Sequence, residues 1–105
     1  MKVSVITVCL NSAKTIEKCI NSVNLQNYEK IEHIFINSNS IDNTLAIIND
    51  KAKRSVKVVS EDDSGIYDAM NKGVFYSTGD ILFFLNSDDF FASNDIVKKV
   101  VDLFL

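Results

Sequence analysis

Residues 2–23 read KVSVITVCLNSAKTIEKCINSV, and a change of period inside them decides the fold. Residues 2–9 are mostly β-branched and apolar, at odd and even positions alike. That is the pattern of a strand covered on both faces. Asn11 and Ser12 then offer side-chain oxygens suited to capping a helix. Beyond them Ile16, Cys19, Ile20 and Val23 recur at i, i+3, i+4 and i+7, the apolar stripe of a helix laid on a core.

Working outward, the same unit repeats. Residues 32–36 (EHIFI) read as a second strand, residues 37–43 (NSNSIDN) as a polar loop and residues 44–53 as a second helix with Leu45, Ile48 and Ala52 on one face. Residues 56–59 give a short third strand, residues 60–64 (SEDDS) an acidic loop and residues 65–76 a third helix. Thr78, Gly79 and Asp80 signal a turn. Residues 81–85 (ILFFL) form the most apolar strand, Asn86-Ser87-Asp88-Asp89 follow it, and Ser93 caps a last helix bearing Ile96, Val97, Val100, Val101 and Phe104. Four strand-then-helix units in succession predict an α/β fold of three layers around a mostly parallel sheet. No linker, repeat or low-complexity segment interrupts them. In such sheets ligands bind beyond the carboxyl ends of the strands. The segments expected there, residues 7–12, 37–43, 60–64 and 86–90, are all polar or acidic, so a polar cleft is expected along one edge of the sheet.

With 105 residues the chain suits one domain with one core. Its net charge of -3 argues against nucleic acid as a partner, since a phosphate backbone calls for a basic face. An anionic ligand would instead be held through a metal ion or helix N-termini. Cys9 and Cys19 lack metal-ligand spacing and read as buried free thiols of a reducing, cytoplasmic setting. Contact with the inner face of a membrane is left open by the sequence. The apolar start is too short for a membrane span and lacks a cleavage site.

Asp88 and Asp89 stand side by side where the most apolar strand ends. Two neighbouring carboxylates repel each other when ionised, and a hard divalent cation such as Mg²⁺ or Mn²⁺ relieves the repulsion while keeping positions for substrate phosphates. On the dipeptide alone, a turn bonded to nearby backbone N–H groups is the commoner explanation. Glu61, Asp62 and Asp63 read equally as a solvated loop favouring the start of the third helix, with Asp63 nearest the cleft. Gly73 reads as a close approach of helix to sheet, Lys72 as either a solvated lysine or a phosphate contact, and His33 as an ordinary strand residue.

In this order the motifs resemble family 2 glycosyltransferases of the GT-A fold, especially bacterial enzymes of surface-polysaccharide synthesis. VSVITVCLN is similar to that family's opening strand, SVNLQNY (22–28) to its S-V-x-x-Q-x-Y, and Ser40, Asp42 and Thr44 to its S-x-D-x-T. SEDDSGIYDAMNKG (60–73) and TGDILFFLNSDD (78–89) resemble two further stretches, the second delivering the metal-binding aspartates. The resemblance covers essentially the whole chain. It implies the N-terminal, nucleotide-binding half of a GT-A fold and an inverting transfer from a nucleotide-diphosphate sugar, most commonly a UDP-sugar, to a saccharide or lipid-linked acceptor. It implies that Thr7 and Cys9 line the nucleobase pocket, that Asn11, Asn37, Asp63 and Lys72 belong to the donor site, that Asp88 lies near ribose and metal, and that Asp89 binds Mn²⁺ or Mg²⁺.

Two departures accompany the likeness. Asn37 and Ser38 stand where the family usually has at least one aspartate, so a charge is lost. Family members are also about twice as long, and the catalytic base is expected beyond Leu105, so no residue here is assigned to it. The competing expectation is a non-catalytic module of the same fold that forms a homodimer through an exposed apolar edge. A receiver-like domain places its acids on another strand, and G-x-G-x-x-G is absent after the first strand.

Overall fold

The computed structural model describes residues 1–105, and strands and helices alternate through all of them. They are β1 (Val3–Cys9), α1 (Ile16–Asn24), β2 (Ile31–Asn37), α2 (Thr44–Lys51), β3 (Ser55–Ser60), α3 (Ile66–Tyr76), β4 (Ile81–Phe84) and α4 (Ile96–Phe104). The strands form one sheet in the order β3-β2-β1-β4, every pair parallel. The fold is therefore α/β, as the alternation predicts.

Side-chain parity sorts the helices between the two faces. Odd-numbered Val3 and Val5 of β1 pack with Cys19 and Val23 of α1 and with Val97 and Val101 of α4. Cys9 and Phe35 pack with Ile16 and Ile20 of α1 and Ile48 of α2. Even-numbered Ile6, Ile34 and Ile36 meet Ala69 of α3 on the opposite face. The three layers are thus α1, α2 and α4, then the sheet, then α3 alone. Gly73 explains how closely α3 sits: a Cβ there would lie 2.3 Å from Cγ2 of Ile6.

β1 and β2 are covered on both sides, so their polar residues need partners inside. Glu32 is fully buried at the amino-terminal end of the sheet. Its Oε2 accepts from the Ser4 hydroxyl at 2.5 Å and from Thr78 N–H at 2.7 Å, while Oε1 lies 3.4 Å from Lys2 Nζ and 3.3 Å from Lys57 Nζ. Burial would favour the neutral acid, but these donors hold its carboxyl at about 2. His33 has its Nε2 2.8 Å from the Thr7 hydroxyl, and its Nδ1 has no partner. A stranded acceptor costs less than a stranded donor, so we assign the proton to Nε2. Thr7 then accepts from His33 and turns its own proton toward Cys19 Sγ, 3.8 Å away.

β4 is the most apolar strand, yet none of its four residues is fully buried. Leu82 and Phe84, on the α3 side of the sheet, are 36% and 46% exposed because α3 lies over β1 and β2. The last helix begins at Ile96, later than Ser93 suggests, because the Ser93 hydroxyl bonds to Asp95 Oδ1 at 2.6 Å and Asp95 takes the cap position.

Candidate functional site

The chain leaves β1 toward β2 and β3 on one side and returns to β1's other side as β4. The crevice between the ends of β1 and β4 is therefore the topological switch point, where open α/β sheets hold ligands. A cavity of about 640 Å³ lies there. Asn11, Ser12, Lys14 and Thr15 of the β1–α1 connection line one wall, and Asn86, Ser87 and Asp88 beyond β4 line the other. Val8 and Ile66 supply its apolar surface, and Asp42 closes it toward the β2–α2 loop.

The aspartates are held by backbone. Leu85 N–H continues the pairing of β4 by donating to the Ile6 carbonyl at 2.9 Å, and Asp89 N–H donates to the Asn86 carbonyl at 2.9 Å, closing a turn. The SVNLQNY stretch braces the segment between that turn and α4. The Ser22 hydroxyl accepts from Phe91 N–H at 3.0 Å, and Gln26 joins Ser93 and Val97 at 2.6 and 3.0 Å. The Asp88 and Asp89 side chains themselves are exposed and engaged in no ion pair. Two free carboxylates on a fixed turn suit a hard divalent cation. No group of three or more His, Cys, Asp or Glu gathers around them, so the rest of its coordination would come from ligand oxygens and water.

Asn11 and Asp42 build the floor. Asn11 adopts a left-handed backbone, φ 48°, donates its N–H to the Ser40 hydroxyl at 2.9 Å and accepts from Ile41 N–H at 2.8 Å. Asp42 Oδ1 accepts from Thr44 N–H at 3.0 Å and its hydroxyl at 2.5 Å, and Oδ2 accepts from Ala13 N–H at 3.1 Å. The Thr44 hydroxyl bond leads the donors that hold this carboxyl below the usual range. The S-x-D-x-T motif thus fastens the loop after β2 to the loop after β1.

Several residues expected at the site do not line this cavity. Thr7 and Cys9 are buried on the α1 face, turned from the cavity, and burial pushes the Cys9 thiol up to about 12. Val8, of the opposite parity, is the one that reaches the cavity. Asn37 is buried; its Oδ1 accepts from the Ser40 hydroxyl at 2.5 Å and its Nδ2 donates to Ser60 at 3.1 Å, so its polar groups serve the loop. Asp63 accepts from the Ser38 hydroxyl and from Gly65 N–H, outside the cavity lining. Lys72 donates to the Asp62 carbonyl at 2.5 Å and pairs with Glu61 and Asp68 at 3.2 and 3.6 Å. Partial burial works against its charge, but Glu61 and Asp68 hold its pKa raised. It is a brace for the acidic loop. Sequence reasoning passed over Lys14, Thr15 and Ile66, while Val8 and Ser87 fall in segments expected at the cleft but were given no role.

A polar cavity at the switch point is common to open α/β sheets; the solved structures this chain matches give it the GT-A glycosyltransferase fold. Residues 4–105 match the family described as Glycosyl transferase family 2, and the chain belongs to that family. It is 39% identical over 101 residues to an uncharacterized glycosyltransferase of Mycobacterium tuberculosis, covering 95% of this chain and 38% of that protein. It is 34% identical to a PGL/p-HBAD biosynthesis glycosyltransferase of Mycobacterium bovis, covering 92% of this chain and 39% of that protein. Staphylococcus aureus TarS 1-349, crystallised in complex with UDP-GlcNAc, superimposes with a TM-score of 0.91 at 27% identity, over 99% of this chain and 31% of TarS. The Pyrobaculum calidifontis mannosyltransferase PcManGT, in complex with GDP-Man and Mn²⁺, gives 0.84 at 25% identity, over 95% and 31%. The chain therefore spans between three and four tenths of the length of these relatives. No helix in it is long and apolar enough to cross a membrane.

Proposed function

We propose that this chain is the donor-binding part of an inverting, metal-dependent glycosyltransferase acting in cell-surface polysaccharide synthesis. The observation that carries the reading is the pair of unengaged carboxylates, Asp88 and Asp89, on a backbone-fixed turn beside a cavity at the β1/β4 switch point. The donor would be a nucleotide-diphosphate sugar and the acceptor a saccharide or lipid-linked sugar. With two free thiols, Cys9 and Cys19, a cytoplasmic setting fits.

In this reading Asp89, with Asp88, holds Mn²⁺ or Mg²⁺. When bound, the cation supplies Lewis-acid stabilisation of the charge on the leaving diphosphate. The chain's own residues orient the donor: Val8 and Ile66 offer apolar surface to the nucleobase, and the Ser12 and Ser87 hydroxyls, 2.8 Å apart, tie the two walls together. The acceptor hydroxyl attacks C1 from the face opposite the diphosphate as the C1–O bond breaks, and its proton passes to a base. No residue here is assigned as that base; we place it, with the acceptor half, in the remainder of a longer protein. The uncovered Leu82 and Phe84 suit a surface meant to be packed against.

Isothermal titration of UDP and GDP with and without Mn²⁺ tests the reading. Binding of at least one, strengthened by Mn²⁺ and abolished in Asp89→Ala, is expected; no heat from either on folded protein refutes it. A second reading, a dimerising module without catalysis, draws on the same exposed Leu82 and Phe84. It requires a sedimenting dimer whose assembly Asp89→Ala leaves unchanged and which binds neither nucleotide.

A further inference from the structure

We infer that Lys14 is the positioning residue for the donor's phosphates, an assignment that rests on the donor-binding reading. Three charged residues line the cavity: Lys14, Asp42 and Asp88. Asp42 is committed, with both oxygens bonded to Thr44 and Ala13. That leaves Lys14 and Asp88, of opposite sign, as the free charges of one chamber. Lys14 is exposed and forms no ion pair, and its backbone N–H has no acceptor within the chain. The other lysines near this end of the sheet are engaged: Lys72 by Glu61 and Asp68, Lys18 by the Phe90 ring, 4.0 Å from its centroid.

The chemistry asks for such a cation. A nucleoside diphosphate brings two or more negative charges into a cavity whose lining already includes Asp88, with Asp89 next to it in the chain. A cation on those aspartates offsets charge from one side only. Across the cleft the β1–α1 connection adds Lys14, a point charge on a flexible stem that can follow a phosphate through binding and release. The loop geometry favours this lysine. The 12–16 turn is closed by Thr15 and Ile16 N–H groups on the Ser12 carbonyl, at 3.0 and 2.9 Å, and Ser12 is bonded to Ser87. Lys14 therefore springs from a braced turn on the wall opposite Asp88.

The test is affinity against phosphate number. UDP, UMP and uridine, and the guanosine series in parallel, are titrated with Mn²⁺ into wild type, Lys14→Gln and Lys14→Arg, with chemical-shift perturbation for weak ligands and thermal melts to verify folding. Lys14→Gln should weaken the diphosphate by about ten- to a hundredfold, the effect of one charge-assisted hydrogen bond. It should weaken the monophosphate less and the nucleoside not at all, and Lys14→Arg should recover most of the loss. Enhancement by Mn²⁺ should persist in Lys14→Gln. Diphosphate affinity unchanged in Lys14→Gln, or a loss equal for nucleoside and diphosphate, overturns the assignment while the donor-binding reading stands. Failure of wild type to bind either diphosphate removes both.

Discussion

Ser12 and Ser87 meet hydroxyl to hydroxyl, Oγ to Oγ 2.8 Å, and so tie the loop after β1 to the turn after β4 across the crevice. Each side chain also lines the cavity. Ser87→Ala removes the tie without touching the core. Mn²⁺-dependent nucleotide affinity is expected to fall by about two- to tenfold, the worth of one hydrogen bond, while the melting temperature moves by only a few degrees. Unchanged affinity in calorimetry would show that the turn is held without this bond.

Gly73 and Ile6 set the distance between α3 and the sheet. An alanine Cβ at 73 would sit 2.3 Å from Ile6 Cγ2, so Gly73→Ala is expected to destabilise by about 1–3 kcal/mol through overpacking. The double variant with Ile6→Ala, which deletes that methyl, should be less damaging than the two single losses added together. Urea unfolding of all four proteins checks this; strict additivity would mean that α3 moves aside freely.

Burial pushes the His33 imidazole down to about 3, against about 6.5 when exposed. The unfolded chain binds a proton there that the folded chain rejects. Stability is therefore complete above pH ~6.5 and is lost as pH falls toward ~3, by up to about 1.4 kcal/mol per pH unit. Between pH 7 and 5 the urea midpoint of wild type should drop, and that of His33→Gln should stay nearly level. Equal slopes would contradict a neutral, sealed imidazole.

Glu32 is the acid counterpart. Its folded pKa of about 2 lies below the ordinary value of 4.5. Its contribution is thus present above pH ~4.5 and disappears as pH falls through ~2. Glu32→Gln keeps an acceptor for Ser4 and Thr78 but loses the charge facing Lys2 and Lys57. A loss of about 1–3 kcal/mol at pH 7, with a flatter acid limb between pH 4.5 and 2, is expected in denaturant titrations. An unaltered midpoint at pH 7 would make the carboxylate dispensable.

The order of elements was legible because each strand run gives way to a helical period, and tertiary packing had only to trim the ends. What stayed hidden is facing. β1 is apolar at both parities because helices cover both its faces, so nothing in residues 3–9 tells whether Thr7 and Cys9 or Val8 look into the crevice. In the structure Val8 lines the cavity, and Thr7 and Cys9 are buried. Lys72 lies nine or more residues beyond the acidic run in the sequence, and α3 brings it back onto that run, pairing it with Glu61. Lys14 carries no pattern of its own; only the meeting of the β1–α1 connection with the β4 turn makes it a neighbour of Asp88. Asp88 and Asp89 were legible because they follow closely on the end of one strand.

β4 is four residues long and has a neighbour on one side only, yet it carries the aspartates. It is clamped at its foot, where Thr78 is bonded to Glu32 and Gly79 N–H to the Ser4 hydroxyl at 2.8 Å, and again where Leu85 meets Ile6. Between two fixed points the strand acts as a ruler, and its length sets how far the acid pair projects. Lengthening it by one residue would swap inward and outward sides for everything beyond the insertion. Changing the identity of Leu82 or Phe84 would leave the reach of the pair as it is. At this strand the count of residues matters more to the site than their kind.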